Sequence, residues 1–455
     1  MNFEAFRNSI FDIAVKKGLK TFELFGMEQR ELEISVFESQ IEHYKDASCA
    51  GASFKTIVDG KAGSSFTEVW TPESAARLVE DAYENCQQID ALDPEYIYTG
   101  QEPYRTFPPF ADRYAQLPIE EKIAYAITME KEAKAYHSAI VNIPYCTYFE
   151  GADRFYVSNS YGVNVEYGRE GGGGYLVAAA SDGKTAKTGL DFVAQASPVG
   201  LDFRATARKA AGKALKKLGA KSVRTGKYPV ILDYNMVGML LTCFSFMINA
   251  ENAHKGLSLL AGKLGQVVTA PVITIANEPY IEGGISNTPF DAEGVPTKTT
   301  TIVRNGVFET FLHRMKTAVK DGLSSTGNAA RVRYDQATVI APQNLVLRPG
   351  LLNLDELIIQ MGDGLYITDL QGMHSGANPY SGQLSLGAEG FKVEGGKIAY
   401  PVEQITIAGN LLEWFGRVVD LSSSSNLSMP SGNFSVYCPD MYISEIDVAG
   451  TESVS

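Results

Sequence analysis

The sequence predicts an α+β protein: an α/β N-terminal domain over residues 1–225, then a mostly antiparallel, barrel-like β domain over 226–455. Three observations predict this. A chain of 455 residues is longer than a single hydrophobic core supports, so it divides. Helical stripes and alternating segments are interleaved before Thr225. Beyond Gly226, short apolar or alternating runs separated by glycine turns dominate, the pattern of a curved or closed sheet.

The elements follow in order. Phe3, Phe6, Ile10, Ile13 and Ala14 form a helical stripe that Gly18 stops. Phe22–Phe25 and Leu32–Phe37 alternate as two strands. Ala52–Val58 and Ala62–Thr67 flank Asp59-Gly60, a two-residue hairpin signal. Thr71 caps a helix with Pro72 in its first turn and Ala75, Leu78, Val79 and Ala82 on its stripe. Residues 93–118, rich in Pro, Tyr and Asp, form a connector, and a helix runs from Ile119 to His137. Strands flank Asn159-Ser160-Tyr161-Gly162, and a hairpin turns on Asp182-Gly183. Gly171–Gly174 lacks the lysine and the strand–helix context of a phosphate loop and is expected to be a mobile turn.

Residues 202–218 form a helix carrying Arg204, Arg208, Lys209, Lys213, Lys216 and Lys217. On an alanine-rich helix this is a solvated face before it is a nucleic-acid surface. Tyr228–Asp233 is an apolar strand, followed by a helix over 236–253. Turns fall at Asn305-Gly306 and Gly395-Gly396, and a further helix at 353–363.

Composition excludes several classes. With 45% hydrophobic and 20% charged residues, the chain belongs with folded globular proteins. A net charge of −13 argues against a nucleic-acid partner. The five cysteines are scattered without a Cys-x-x-Cys pair, which fits a reducing cytoplasm; Cys243 sits in an apolar run as a core residue. The N-terminus shows no basic stretch followed by an apolar one, so no signal peptide is expected. The longest apolar run, Met236–Ile248, is about 13 residues against the roughly 20 of a membrane span. The expectation is a cytoplasmic protein with no membrane contact.

Two polar loops, 283–297 and 322–331, concentrate glycine, hydroxyls and charge, and such loops on a β scaffold are where binding sits. The candidate substrate-cleft residues are Asp291, Glu293, Ser324, Ser325, Thr326 and Asn328. The two carboxylates can cap backbone amides, hold a cation, or act as acid and base. If Asp291 caps amides, its loss costs about 0.5–2 kcal/mol. None of the five histidines pairs at i,i+4 or i,i+5. Glu251 and His254 have the i,i+3 spacing of some carboxylate–imidazole metal sites, a spacing that also arises on ordinary solvated helix ends.

Several of these residues fall in longer patterns: Gly256-Leu257-Ser258-Leu259-Leu260-Ala261-Gly262, Pro289-Phe290-Asp291-Ala292-Glu293-Gly294, Ser325-Thr326-Gly327-Asn328, Asn378–Gly390 and Tyr400–Asn410. In order and spacing the chain resembles the TldD/PmbA family, also called modulators of DNA gyrase, and specifically its PmbA (TldE) branch. The resemblance implies an α/β N-terminal part followed by a β-rich, metalloprotease-like C-terminal part. It also implies cytoplasmic zinc metallopeptidases that trim or degrade peptides.

In that family the TldD-type subunit carries His-Glu-x-x-x-His on a helix just before the Gly-x-Ser-x-x-x-Gly stretch. Here the corresponding window, Leu240–His254, holds one histidine and no glutamate beside a ligand histidine. Cys438 falls near a family metal-ligand cysteine, but its surroundings do not match and the role is not carried over. The resemblance therefore implies no catalytic residue and no cofactor in this chain, and zinc in a TldD-like catalytic partner with which it meets a peptide substrate. In isolation it is expected to be an inert homodimer. The alternatives are an autonomous metal-dependent peptidase built from dispersed residues such as Glu251, His254, Asp291 and Glu293, or a regulatory binding protein of the gyrase-modulator kind.

Overall fold

In the computed structural model, which describes residues 1–88, 94–430 and 434–451, the N-terminal half is built on one long-stranded antiparallel sheet. Its elements are α1 (Phe3–Lys16), β1 (Phe22–Phe37), β2 (Gln40–Val58), β3 (Lys61–Thr67), α2 (Pro72–Gln88), α3 (Ile119–Tyr136), β4 (Ile140–Asn159), β5 (Asn164–Ser181), β6 (Ala186–Gln195) and α4 (Phe203–Lys216). The local signals act as chemistry dictates. The Asn2 side chain accepts the Ala5 N–H to cap α1, and Gly18 leaves the helix at φ 82°. Asp59 and Gly60 both take positive φ, which a two-residue turn between right-twisted strands requires. Residues 94–118 contain no regular element, as expected of the connector; its first residue, Asp93, lies outside the described residues.

The sheet order is β3-β2-β1-β4-β5-β6. Alternation sends Phe22 and Leu24 under α1 and α2, and Leu32, Ile34 and Val36 under α3 and α4. The opposite face presents Phe25, Met27 and Val157, which pack on Phe290, Ala292, Ala329 and Tyr334 of the C-terminal half.

That half comprises β7 (Gly226–Leu232), α5 (Tyr234–Met247), α6 (Ala250–His254), β8 (Ile275–Glu278), β9 (Thr300–Arg304), β10 (Val307–Phe308), α7 (Met315–Lys320), β11 (Ala329–Ala330), β12 (Val339–Ile340), β13 (Asn344–Leu347), α8 (Leu354–Met361), β14 (Gly364–Gln371), α9 (Met373–Gly376), β15 (Gln383–Glu394), β16 (Lys397–Asn410), α10 (Leu411–Gly416), β17 (Val418–Leu421), β18 (Asn426–Leu427), β19 (Ser435–Cys438) and β20 (Met441–Ala449). Strands β16-β15-β14-β7-β20 close into a five-stranded barrel through the β16–β20 pairing, Thr406 opposite Ala449. A second sheet runs β10-β9-β8-β13-β19-β18. The ladders are antiparallel except β14–β7 and β13–β19. One core joins barrel and sheet around α5, whose Leu240, Leu241, Phe244 and Met247 are fully buried. No helix among the described residues is long and apolar enough to cross a membrane.

Three sequence expectations are corrected outright and a fourth in part. The two predicted strands at 22–25 and 32–37 are one strand, because β2 and β4 pair with the intervening polar residues from both sides. Gly171–Gly174 is not a turn but lies inside β5. A Cβ at these positions would strike Ile285, Tyr114, the Val193 carbonyl and Met129 in turn, so the run lets four neighbours close on the strand. The helix predicted over 236–253 breaks after Met247, where the Asn249 side chain accepts the N–H groups of Glu251 and Asn252 and starts α6. The cations over 202–218 form a solvated face at Arg204, Arg208, Lys209 and Lys216, as expected, but not at Lys217. Arg204 and Arg208 share Glu132, Lys213 pairs with Asp191, and Lys217 is buried against Asp369 and Glu389.

Under the barrel, Asp440 accepts the Tyr234 N–H at 3.0 Å and the Ser422 hydroxyl at 3.0 Å. Burial, reinforced by the charge of Asp233, pushes its carboxyl up to about 6. A folded-state value above the unfolded one means stability present at low pH is lost as pH rises through about 6. Asp440→Asn keeps the shape and one acceptor. Its stability relative to wild type is expected to improve by about 2 kcal/mol between pH 4 and pH 7. Urea unfolding across that range checks it; parallel profiles for the two proteins would refute it.

Candidate functional site

The two polar loops meet. The Ala292 N–H donates to the Ala329 carbonyl at 2.9 Å, joining the 283–297 loop to β11. Asp291 fixes this junction. Its Oδ1 accepts the N–H groups of Glu293 (2.9 Å) and Val295 (3.0 Å), and its Oδ2 accepts the Ala329 N–H (2.9 Å). The carboxyl is buried, and burial together with the neighbouring Glu293 charge raises it well above the usual range. Gly294, at φ 75°, closes the turn that aims these amides inward.

Glu293 is fully buried and holds the start of α7. Its Oε2 accepts the Met315 N–H at 2.8 Å and its Oε1 lies 3.3 Å from Arg314 Nη1. Arg314 also makes a forked pair with Glu95 of the connector (3.1 and 3.2 Å) and approaches Glu251 at 3.7 Å. Burial opposes the guanidinium charge, but Glu95, Glu293 and Glu251 outweigh it and raise Arg314 above its ordinary value. Arg331 crosses to the N-terminal sheet. It donates to the Ser53 hydroxyl and lies over the Phe25 ring with its Cζ 4.8 Å from the ring centre.

The hydroxyl residues serve the same frame. Thr326 Oγ1 accepts the His313 N–H at 2.7 Å and donates to the His313 carbonyl at 3.0 Å. Ser325 Oγ donates to the same carbonyl at 3.2 Å, and Asn328 Nδ2 donates to the Ala341 carbonyl at 3.0 Å. Ser324 is exposed and stands apart. Of the six candidate cleft residues, then, Asp291, Glu293, Ser325, Thr326 and Asn328 converge on a buried frame whose polar groups hold backbone. Asp291 also borders a cleft of about 160 Å³ between the two halves, with Phe25, Phe155, Arg169 and Phe290 among its walls.

A zinc ion is the cofactor the resemblance associates with this fold, and the donors on α5 and α6 do not fit one. Glu251 is held by Lys255 at 2.8 Å and lies 3.7 Å from Arg314, which hold its carboxylate below the usual range against the effect of burial. His254 Nε2 is 2.7 Å from Asp321 Oδ1. Among the described residues no three His, Cys, Asp or Glu side chains are placed to hold a metal ion. Cys438 is buried and its thiol donates to the Tyr234 carbonyl at 3.1 Å.

Sequence reasoning missed Glu95, Arg314 and the role of Arg331. Glu95 lies in an irregular connector, 219 positions from Arg314, and no periodicity marks it.

The fold agrees with comparisons to known proteins. Family models described as PmbA/TldA metallopeptidase domain 1, central domain and C-terminal domain match residues 22–86, 112–218 and 225–450. A metalloprotease PmbA homolog of Buchnera aphidicola is 27% identical over 333 residues, 73% of this chain and 71% of that protein. The crystal structure of a candidate modulator of a DNA gyrase from Thermotoga maritima superposes with a TM-score of 0.91 and 34% identity, covering 98% of this chain and all of the other. TldE from Thermococcus kodakarensis shares the fold, with a TM-score of 0.87, 22% identity and coverage of 98% and 100%.

Proposed function

Because the chain belongs to the PmbA/TldD metallopeptidase family, we propose that it is the non-catalytic subunit of a cytoplasmic zinc metalloprotease complex that trims or degrades peptides. A TldD-like subunit supplies the zinc and the general base; this chain shapes the substrate path. A catalytic zinc needs three protein ligands and an open position for water. The observation that carries the reading is the state of Glu251 and His254: each already has an ionic or hydrogen-bonding partner, Lys255 and Arg314 for one and Asp321 for the other. What remains for this chain is a rigid polar frame, anchored by Asp291 and Glu293, beside a cleft between its two halves.

The purified chain is expected to hold no stoichiometric zinc, to hydrolyse no peptide alone, and to form a homodimer. Homologous subunits pair through equivalent patches, so mixing with a TldD-like subunit should exchange partners and give chelator-sensitive peptide hydrolysis. Elemental analysis, sedimentation and a peptidase assay read these out. About one zinc per chain, lost in His254→Ala, would favour the autonomous enzyme instead. A TldD-like protein fully active alone that never associates with this chain would remove the support for a complex.

A further inference from the structure

Among the described residues, strand β5 has an unpaired stretch of edge. It pairs with β4 from Asn164 onward, but with β6 only from Gly172. In an antiparallel ladder, alternate residues turn their N–H and C=O groups outward, so the 164–171 edge offers main-chain donors and acceptors on its free side. Proteins usually cover or blunt such edges. Here the connector passes alongside, with the Phe110 ring against Gly168, yet no backbone hydrogen bond joins 104–110 to 164–171 among the described residues.

Between connector and edge lies a groove of about 610 Å³ walled by Tyr104, Phe107, Phe110, Tyr156, Tyr167 and Phe290. The rings brace one another edge to face: Phe107 is 6.0 Å from Tyr167 and 5.2 Å from Tyr280, and Tyr104 is 6.3 Å from Phe290. The Tyr104 hydroxyl is tied to the Gly294 carbonyl at 2.6 Å, so the same loop that Asp291 holds also sets this wall. Two cations, Arg105 and Arg154, line the groove against one carboxylate, Glu166. Phe290 also walls the 160 Å³ cleft that contains Arg169, placing the two spaces side by side.

We propose that this groove binds an extended peptide by strand addition to the Val165–Arg169 edge of β5, with aromatic or proline side chains between the rings and an acidic group at Arg105 and Arg154. Main-chain pairing tolerates varied sequences, while the aromatic walls and the positive balance set a preference. The proposal deepens the subunit reading, on which it rests for the source of the peptide. The binding itself needs neither partner nor zinc.

The test uses the full chain and a fluorescein-labelled octapeptide of alternating valine and threonine, with a central phenylalanine and a glutamate at each end. Anisotropy is expected to report micromolar binding, weakened about tenfold or more by Phe107→Ala, by Arg154→Ala and by exchanging the glutamates for lysines. Methylating alternate peptide amide nitrogens should abolish it, and exchange of the 165–169 amides should slow on binding. Phe107 braces other rings, so Arg105→Glu, at an exposed position, is the control that leaves the fold intact and must also weaken binding. Equal affinity for the methylated peptide, or no binding up to about 1 mM, overturns the proposal. If the octapeptide binds this way but the reconstituted complex hydrolyses nothing, the subunit reading fails and the groove stands.

Discussion

Arg314→Met is expected to destabilise the protein by about 3–5 kcal/mol, the cost of leaving buried charge uncompensated. Glu293 is fully buried and pairs with this guanidinium, while the partly buried Glu95 shares it with Lys316 at 3.1 Å. Without it, Glu293 retains the Met315 N–H and the more distant charge of Lys55. The forked Glu95 pair also ties the connector to the start of α7; without it Glu95 retains Lys316 of α7 at 3.1 Å, so most of the loss should fall on Glu293. Denaturant unfolding measures the loss, and it should change little with salt because a buried cluster is weakly screened. The double variant Arg314→Met/Glu293→Gln should recover part of it, since removing both charges costs less than stranding one. A loss below about 1 kcal/mol for Arg314→Met would show that these charges are solvated.

Asp291→Ala comes next, with an expected loss of about 3 kcal/mol or more, above the 0.5–2 kcal/mol of an ordinary cap. The difference is burial. Three N–H groups, of Glu293, Val295 and Ala329, lose their acceptor at a residue only 4% exposed. Asp291→Asn should fall between. Its carbonyl serves Glu293 and Val295, but its amide group then meets the Ala329 N–H donor to donor. Thermal unfolding and amide exchange at Val295 and Ala329 report the effect. Turnover of the reconstituted complex should fall only with the folded fraction. Unchanged melting with abolished turnover would instead give Asp291 a chemical role.

The frame around Asp291 was half legible in the sequence. Asp291, Glu293, Ser325, Thr326 and Asn328 stand out because short polar side chains among glycines mark loops that bond to their own backbone. Their partners do not stand out. Glu95 and Arg314 resemble any surface charges until the fold brings them within 3.1 Å. The glycine run at 171–174 misled for a related reason: composition favours a turn, but four neighbouring elements need the missing side chains inside a strand.

By itself the sequence determined the α+β class, the hairpin at Asp59-Gly60, the ends of α1, α3, α4 and α8, the turns at Asn305-Gly306 and Gly395-Gly396, and the family. Caps, turns and periodicity act over a few residues, so the chain carries them locally. Tertiary structure alone decided the closure of the barrel by β16 on β20, the merging of two predicted strands into β1, and the buried ion network. It also decided the free edge of β5 beside the connector. Each of these is a contact between segments far apart in the chain. Its sign and strength depend on burial, and burial exists only once the layers have packed.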